Sequence, residues 1–232
     1  MNNSFDKTNY KHNISTAILV DGGFYRKRAK NLWGELDPKA RSKELYHYCM
    51  LHLRDNYENR YLYRIFYYDC PPIDKNIYNP ITKKTIKLKD SEAYIWMNSF
   101  LSELKHQRKL ALRLGNINDN QLAYHFTADA TKRLLSGSLN IDDASMHDME
   151  LHMEQKGVDM RIGVDIASLS FKKQVNQIIL ISGDSDFVPA AKQARREGID
   201  FILDPMRSTI RPDLYEHIDG IRTPSVKNRF AH

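Results

Sequence analysis

The chain has 232 residues, 35 of them Lys or Arg and 29 Asp or Glu, giving a formal net charge of +6 and an isoelectric point near 9.1. That length suits one large domain or a domain carrying an insertion, and the basic excess favours polyanionic partners. No apolar run approaches the ~20 residues needed to cross a bilayer, nothing resembles a signal peptide, and Cys49 and Cys70 form neither a disulfide framework nor a zinc pattern. A soluble, cytoplasmic protein with reduced thiols and no membrane partner is expected.

Residues 1–13 are polar and aperiodic, which predicts a flexible N-terminal arm. From Thr16, the run Ala17, Ile18, Leu19, Val20 reads as a strand buried on both faces, ending in Asp21, Gly22 and Gly23. A basic segment from Phe24 to Lys30 follows, containing Arg26 and Lys27. Ser42 to Asp55 has helical spacing, with Leu45, Tyr48, Cys49, His52 and Leu53 on one face. Arg60 to Tyr68 reads as a strand closing on Asp69, whose place before Pro71 and Pro72 turn chemistry explains readily.

Ile73 to Lys89 carries Pro80 and Lys83, Lys84, Lys87 and Lys89, and reads as a loop or a small hairpin. Such a charge run is ordinarily a solvated face, but beside a cleft it can track phosphates. Asp90 to Lys109 is helical, with Asp90 or Ser91 as cap and Ile95, Phe100, Leu101 and Leu104 facing inward. Leu110 to Leu114 is a short strand. In residues 115–150 only a helix from Thr127 to Leu135 stands out, and the stretch from about 73 to 150 is read as a helical and loop insertion.

Gln155 to Asp159 opens a helix running to about Lys173, with Ile162, Ile166 and Leu169 as its apolar stripe. Asp159 stands at its start. Asp165 lies roughly 240° round, so the two aspartates cannot share a face. Ile178 to Ile181 is a second buried strand, which stops at Ser182, Gly183, Asp184, Ser185, Asp186 and Phe187. A helix to Glu197 follows, with Asp186 as candidate N-cap, and Ile199 to Leu203 forms another strand. Residues 223–232 are a basic tail. The strand, helix, strand order predicts an α/β fold with a mainly parallel central sheet flanked by helices. Ligands of such sheets bind outside the carboxyl ends of the strands.

Asp21, Asp159, Asp184 and Asp186 come from two strand ends and two helix starts that a parallel sheet places on one edge. Carboxylates of this kind also serve as ordinary helix caps. If gathered about 4 Å apart, ionised carboxylates repel by ~4 kcal/mol at an effective dielectric of 20. A hard divalent cation with oxygen ligands offsets that repulsion, and metal-assisted phosphodiester hydrolysis is the chemistry it serves.

Leu19-Val20-Asp21-Gly22-Gly23-Phe24, Gln155-Lys156-Gly157-Val158-Asp159-Met160-Arg161 with Asp165, and Ser182-Gly183-Asp184-Ser185-Asp186-Phe187 together resemble the NYN domain family of PIN-like nucleases. The resemblance runs from about Thr16 to Leu203 within an expected domain at 14–222. It implies a Rossmann-like PIN fold, an Mg²⁺ or Mn²⁺ cluster held by Asp21, Asp159, Asp184 and Asp186, and endoribonuclease activity with RNA as partner. Asp165, Ser182, Ser185 and Asp69 stand as supporting positions. Arg26, Lys27, Lys83, Lys84 and Lys156 are the candidate RNA contacts, and homo-oligomer formation stays open.

Two enzymatic alternatives weigh less. A Toprim-like site expects glutamate where this chain has Asp21, and a haloacid-dehalogenase-like phosphatase needs a second aspartate where it has Gly23. A nucleic-acid-binding module without catalysis also remains.

Overall fold

The computed structural model describes residues 13–55 and 58–226, apart from the side chains at 119–121. The expected arm, Asn13 excepted, and residues 227–232 of the expected tail lie outside the described residues.

Strand β1 (Asn13–Asp21) is buried from Ser15 to Val20 because it is the middle of the sheet. It pairs in parallel with β2 (Asn59–Asp69) on one side and with β8 (Gln177–Ile181) on the other. Five further strands lie between β2 and β8 in the chain: β3 (Asn76–Asn79), β4 (Lys84–Lys87), β5 (Leu110–Leu114), β6 (Asn116–Phe126) and β7 (Met149–Lys156). With β9 (Asp200–Asp204) and β10 (Gly220–Ile221), the main sheet has the order β10-β9-β8-β1-β2-β5, and every pairing in it is parallel. The chain thus starts at the centre, runs outward through β2 and β5, and returns to β8 before running out the other way. The crevice between β1 and β8 is the topological switch point, where open α/β sheets bind their ligands.

Alternate side chains of the strands feed two cores. On one face Ile18, Val20, Ile65, Tyr67, Ile179 and Ile181 meet α1 (Gly22–Trp33), α2 (Pro38–Leu51) and α3 (Glu92–Lys105). On the other, Leu19, Tyr68, Leu180 and Leu203 meet α5 (Val158–Phe171) and α6 (Val188–Arg196). Ile18, Leu19, Val20, Ile178, Ile179, Leu180 and Ile181 are all fully buried. At ~1.5–3 kcal/mol each, these seven outweigh the ~4 kcal/mol repulsion of a close carboxylate pair.

Most expected elements are present, and several differ in detail. The sheet begins at Asn13 instead of Thr16, and α2 starts earlier than expected, where Asp37 caps it ahead of Pro38. Ile95 is 57% exposed, so it does not face inward; Met97 takes that position beside Phe100, Leu101 and Leu104. Residues 73–89 take the hairpin form, β3 against β4. The stretch 73–150 is not one helical and loop insertion: α3 and β5 belong to the main α/β layer. β6 and β7 form an antiparallel hairpin, with α4 (Ala128–Leu135) in the connection between them. The hairpin has a period of two, Met149, Leu151 and Met153 alternating with Glu150, His152 and Glu154, and pairing sets Met149 and Leu151 against Phe126 and Tyr124; a register shift after Asn118 interrupts the pattern in β6. Among the described residues, α7 (Pro212–Tyr215) and β10 complete the chain.

Candidate active site at the sheet switch point

Asp21 ends β1 and caps α1: its Oδ1 accepts the Phe24 N–H at 3.1 Å. Its other oxygen accepts the Ser182 hydroxyl at 3.1 Å, across the crevice from the end of β8. Ser182 Oγ in turn accepts the Asp184 N–H at 3.3 Å, so one buried hydroxyl ties the two acidic strand ends together. The capping and site readings of Asp21 therefore coexist on different oxygens.

Asp184, and not Asp186, is the cap after β8. Its Oδ1 accepts the Asp186 N–H at 3.0 Å and starts a single 3₁₀ turn, Ser185–Phe187, that leads into α6. Relieved of capping, the Asp186 side chain is exposed, as is that of Asp184. Ser185 lies within the turn, and no hydrogen bond joins its side chain to the carboxylates among the described residues.

Asp159 lies in the first turn of α5. Partial burial, then the charges of Asp184 and Asp186, raise its pKa above the ordinary carboxylate value. Burial is also the main cause raising Asp21, with Asp159 and Asp69 adding to it against the hydrogen bonds from Phe24 and Ser182. The four carboxylates from β1, α5 and the turn after β8 thus act on one another electrostatically.

Close approaches build this edge. A Cβ on Gly22 would stand 2.5 Å from Asp69 Oδ2 and from the Tyr68 carbonyl, and one on Gly183 would stand 2.7 Å from the Phe24 ring. Backbone contact excludes a larger residue at Gly22, whereas at Gly183 the Phe24 ring would have to shift.

The neighbouring acids are neutralised. Asp69 is fully buried, and more than turn chemistry holds it: Arg26 donates to it through Nε (3.0 Å) and Nη2 (3.1 Å), Tyr67 through its hydroxyl (2.9 Å), and Cys70 through its N–H (2.8 Å). Burial, then Asp69, holds the Tyr67 phenol well above its ordinary pKa, so it remains a donor. Asp165 faces away from the cluster and accepts from Tyr68 Oη (2.8 Å) and Arg113 Nε (3.0 Å). Its separation from Asp159 is the one that helical geometry predicts.

The basic residues divide. Arg26 is committed to Asp69 but remains about a third exposed. Lys27 is exposed and has no carboxylate partner among the described residues. Lys156 lies at the root of the β6–β7 hairpin, 3.6 Å from Glu154. Lys83 and Lys84 are exposed on the β3–β4 hairpin, and no contact joins them to the carboxylates among the described residues.

The sequence reading assigned no role to Gln155. A side chain at Gly23 would come within 3.6 Å of Asp21 Oδ1 and 4.0 Å of Gln155 Oε1, which places this amide at the mouth of the site. Its inclusion in the motif before Gly157 was the only signal. The β6–β7 hairpin that carries it rises from the carboxyl edge of the sheet, because Gly115 N–H donates to Asp69 O at 2.8 Å and Asn116 pairs with Lys156.

A divalent cation suits the donors by type, since all are carboxylate or hydroxyl oxygens. Among the described residues no three His, Cys, Asp or Glu side chains already share a coordination sphere. Mg²⁺ takes only one or two carboxylates directly and keeps several waters. Asp21, Asp159, Asp184 and Asp186 therefore fit as ligands or as partners of its waters.

A parallel α/β sheet with acidic residues at its switch point is the architecture of the PIN-like nuclease superfamily. The NYN domain family model matches residues 76–211, more than half of the chain, and the protein belongs to that family. The match includes Asp159, Asp184 and Asp186; Asp21 lies before it and joins the site through the sheet. No curated protein matches. Among solved structures, a Vibrio parahaemolyticus protein of unknown function aligns with 13% identity over 90% of this chain and 92% of its own, at a TM-score of 0.45. Among the described residues, no helix is long and apolar enough to cross a membrane.

Proposed function

We propose that this nuclease-family protein is a metal-dependent endoribonuclease of the cytoplasm that hydrolyses RNA phosphodiester bonds with Mg²⁺ or Mn²⁺. One observation carries the reading: Asp21, Asp159, Asp184 and Asp186 lie at the switch point with no ion pair among the described residues, whereas Asp69 beside them and Asp165 on the other side of α5 are ion-paired. Unneutralised carboxylates at a ligand crevice are where a divalent cation binds. When bound, the cation supplies an activated water and stabilises the charge that develops on the phosphate.

The chain's own groups hold the rest in place. Phe24 N–H and Ser182 Oγ orient the two oxygens of Asp21, and Ser182 sets the register of Asp184 against it. Asp69 fixes Arg26 at the rim, where its exposed edge and Lys27 face a phosphate backbone. Gln155 and Lys156 approach from the hairpin root, and Lys83 and Lys84 offer a more distant basic surface.

The test is cleavage of matched single-stranded RNA and DNA by wild type and Asp184→Asn, with Mn²⁺, with Mg²⁺ and with EDTA. Cleavage of RNA that needs the metal and Asp184 is expected. RNA bound but left intact under every metal condition would instead support a binding module, and preferential DNA cleavage a different nuclease.

A further inference from the structure

A cleft of about 760 Å³ runs beside the site, from Gly23 and Arg26 past Lys27 and Lys30 to Glu92 and Trp96. It follows α1, whose rise from Gly23 to Trp33 spans about 15 Å. At its far end the Trp96 ring is fixed in two ways. Its indole N–H donates to the Leu36 carbonyl at 3.0 Å, and one face stacks on Phe100 with centroids 5.0 Å apart and planes at 24°. Phe100 meets Tyr67 edge to face at 5.8 Å, and Tyr67 donates to Asp69, the clamp on Arg26. Packed side chains thus join this aromatic platform to the mouth of the carboxylate crevice.

Charge is divided along the cleft. Lys27, near the crevice, has no carboxylate partner among the described residues, whereas Lys30 is paired with Glu35 and exposed Glu92 stands near Trp96. A phosphate is favoured at the crevice end and disfavoured beside Glu92. A nucleobase suits the Trp96 end, because its π-face stacks on an indole and a carboxylate accepts from an exocyclic amine.

We propose that this cleft is a single-strand subsite: a nucleotide flanking the scissile phosphate lays its base on Trp96, with its phosphate beside Lys27. The inference rests on the ribonuclease reading above. It makes Trp96 a determinant of single-strand preference, since paired and stacked bases present no free face to it.

The chain has only two tryptophans, so Trp33→Phe leaves Trp96 as the sole indole emitter. That variant is titrated in EDTA with a short single-stranded oligoribonucleotide, and binding is followed in parallel by anisotropy of an end-labelled copy. Trp96 emission should quench in step with binding, and duplex RNA should quench it little. Trp96→Ala should weaken single-strand binding roughly 5- to 150-fold, the range for losing one stacking aromatic, while Trp96→Phe retains most of it and keeps the fold. If RNA binds by anisotropy and is cut on adding Mn²⁺, yet the emission does not change and both Trp96 variants bind like wild type, the subsite is overturned and the nuclease reading stands. If wild type binds no RNA, the nuclease reading itself fails and takes the subsite with it.

Discussion

Aspartates end three strands of the main sheet, and they have separate fates. Asp204, at the end of β9, is fully buried and receives Tyr48 Oη, His52 Nε2 (2.9 Å), Thr223 Oγ1 (2.7 Å) and the Met206 N–H (2.8 Å). Asp69, at the end of β2, is equally buried and clamped by Arg26 and Tyr67. Asp21, at the end of β1, has two neutral donors and other acids nearby, so its pKa is raised, chiefly by burial. The same residue type at the same topological position becomes structural where the fold supplies enough donors. Where the donors are neutral and few, as at Asp21, the carboxylate keeps a raised pKa and is free for the role proposed above.

The sharpest test of that contrast separates activity from stability. Asp159→Asn should reduce RNA cleavage at saturating Mn²⁺ by roughly 10²-fold or more, the scale of losing one electrostatic partner of the transition state. Its circular dichroism should be unchanged, because amide replaces carboxylate at nearly constant volume. Asp204→Ala should do the reverse. Removing one member of a buried polar pair costs about 3–5 kcal/mol, or roughly 6–20 °C of melting temperature at ~2–4 °C per kcal/mol. Cleavage per folded molecule should stay near wild type. A fully active Asp159→Asn would dissolve the distinction.

A smaller effect lies in the pH dependence. Asp21 and Asp159 have raised native pKa values, so between the unfolded value near 4 and the native one the native state holds more protons. Without metal, their contribution to stability is therefore present at low pH and lost as pH rises through the native pKa values. Asp21→Asn keeps an equally good helix cap and removes that titration. The variant's melting temperature should gain on that of wild type as pH is raised from 4 to 7, and a gap that stays constant with pH would count against crowded carboxylates. Adding Mn²⁺ should stabilise wild type by ~2.7 kcal/mol at 100 times its dissociation constant.

The smallest effect is expected at Asp165. Its partner Arg113 is 43% exposed, so Asp165→Asn should cost no more than the ~1 kcal/mol of a surface pair and leave cleavage intact. An inactive Asp165→Asn beside an active Asp159→Asn would move the site to the other face of α5.

Much of this was legible in the chain because local physics dictates it. Unbroken, branched apolar runs at Ala17–Val20 and Ile178–Ile181 suit strands covered on both faces, and their abrupt ends place Asp21 and Ser182 at the carboxyl edge of the sheet. Helical geometry alone separated Asp159 from Asp165. Other features depended on contacts between distant segments. Asp69 looked like a turn residue because Arg26, its partner, is 43 residues away. Met97 displaced Ile95 from the core because the neighbours of α3 decide which face is covered. The β6–β7 hairpin left a short periodic trace at Leu122–Phe126 and Met149–Met153, but the polar run before Leu122 and the register shift after Asn118 break it. The sequence by itself determined which residues carry charge and where the strands end. Only tertiary structure decided which charges are neutralised, because donors for a carboxylate come from whichever elements the fold packs beside it.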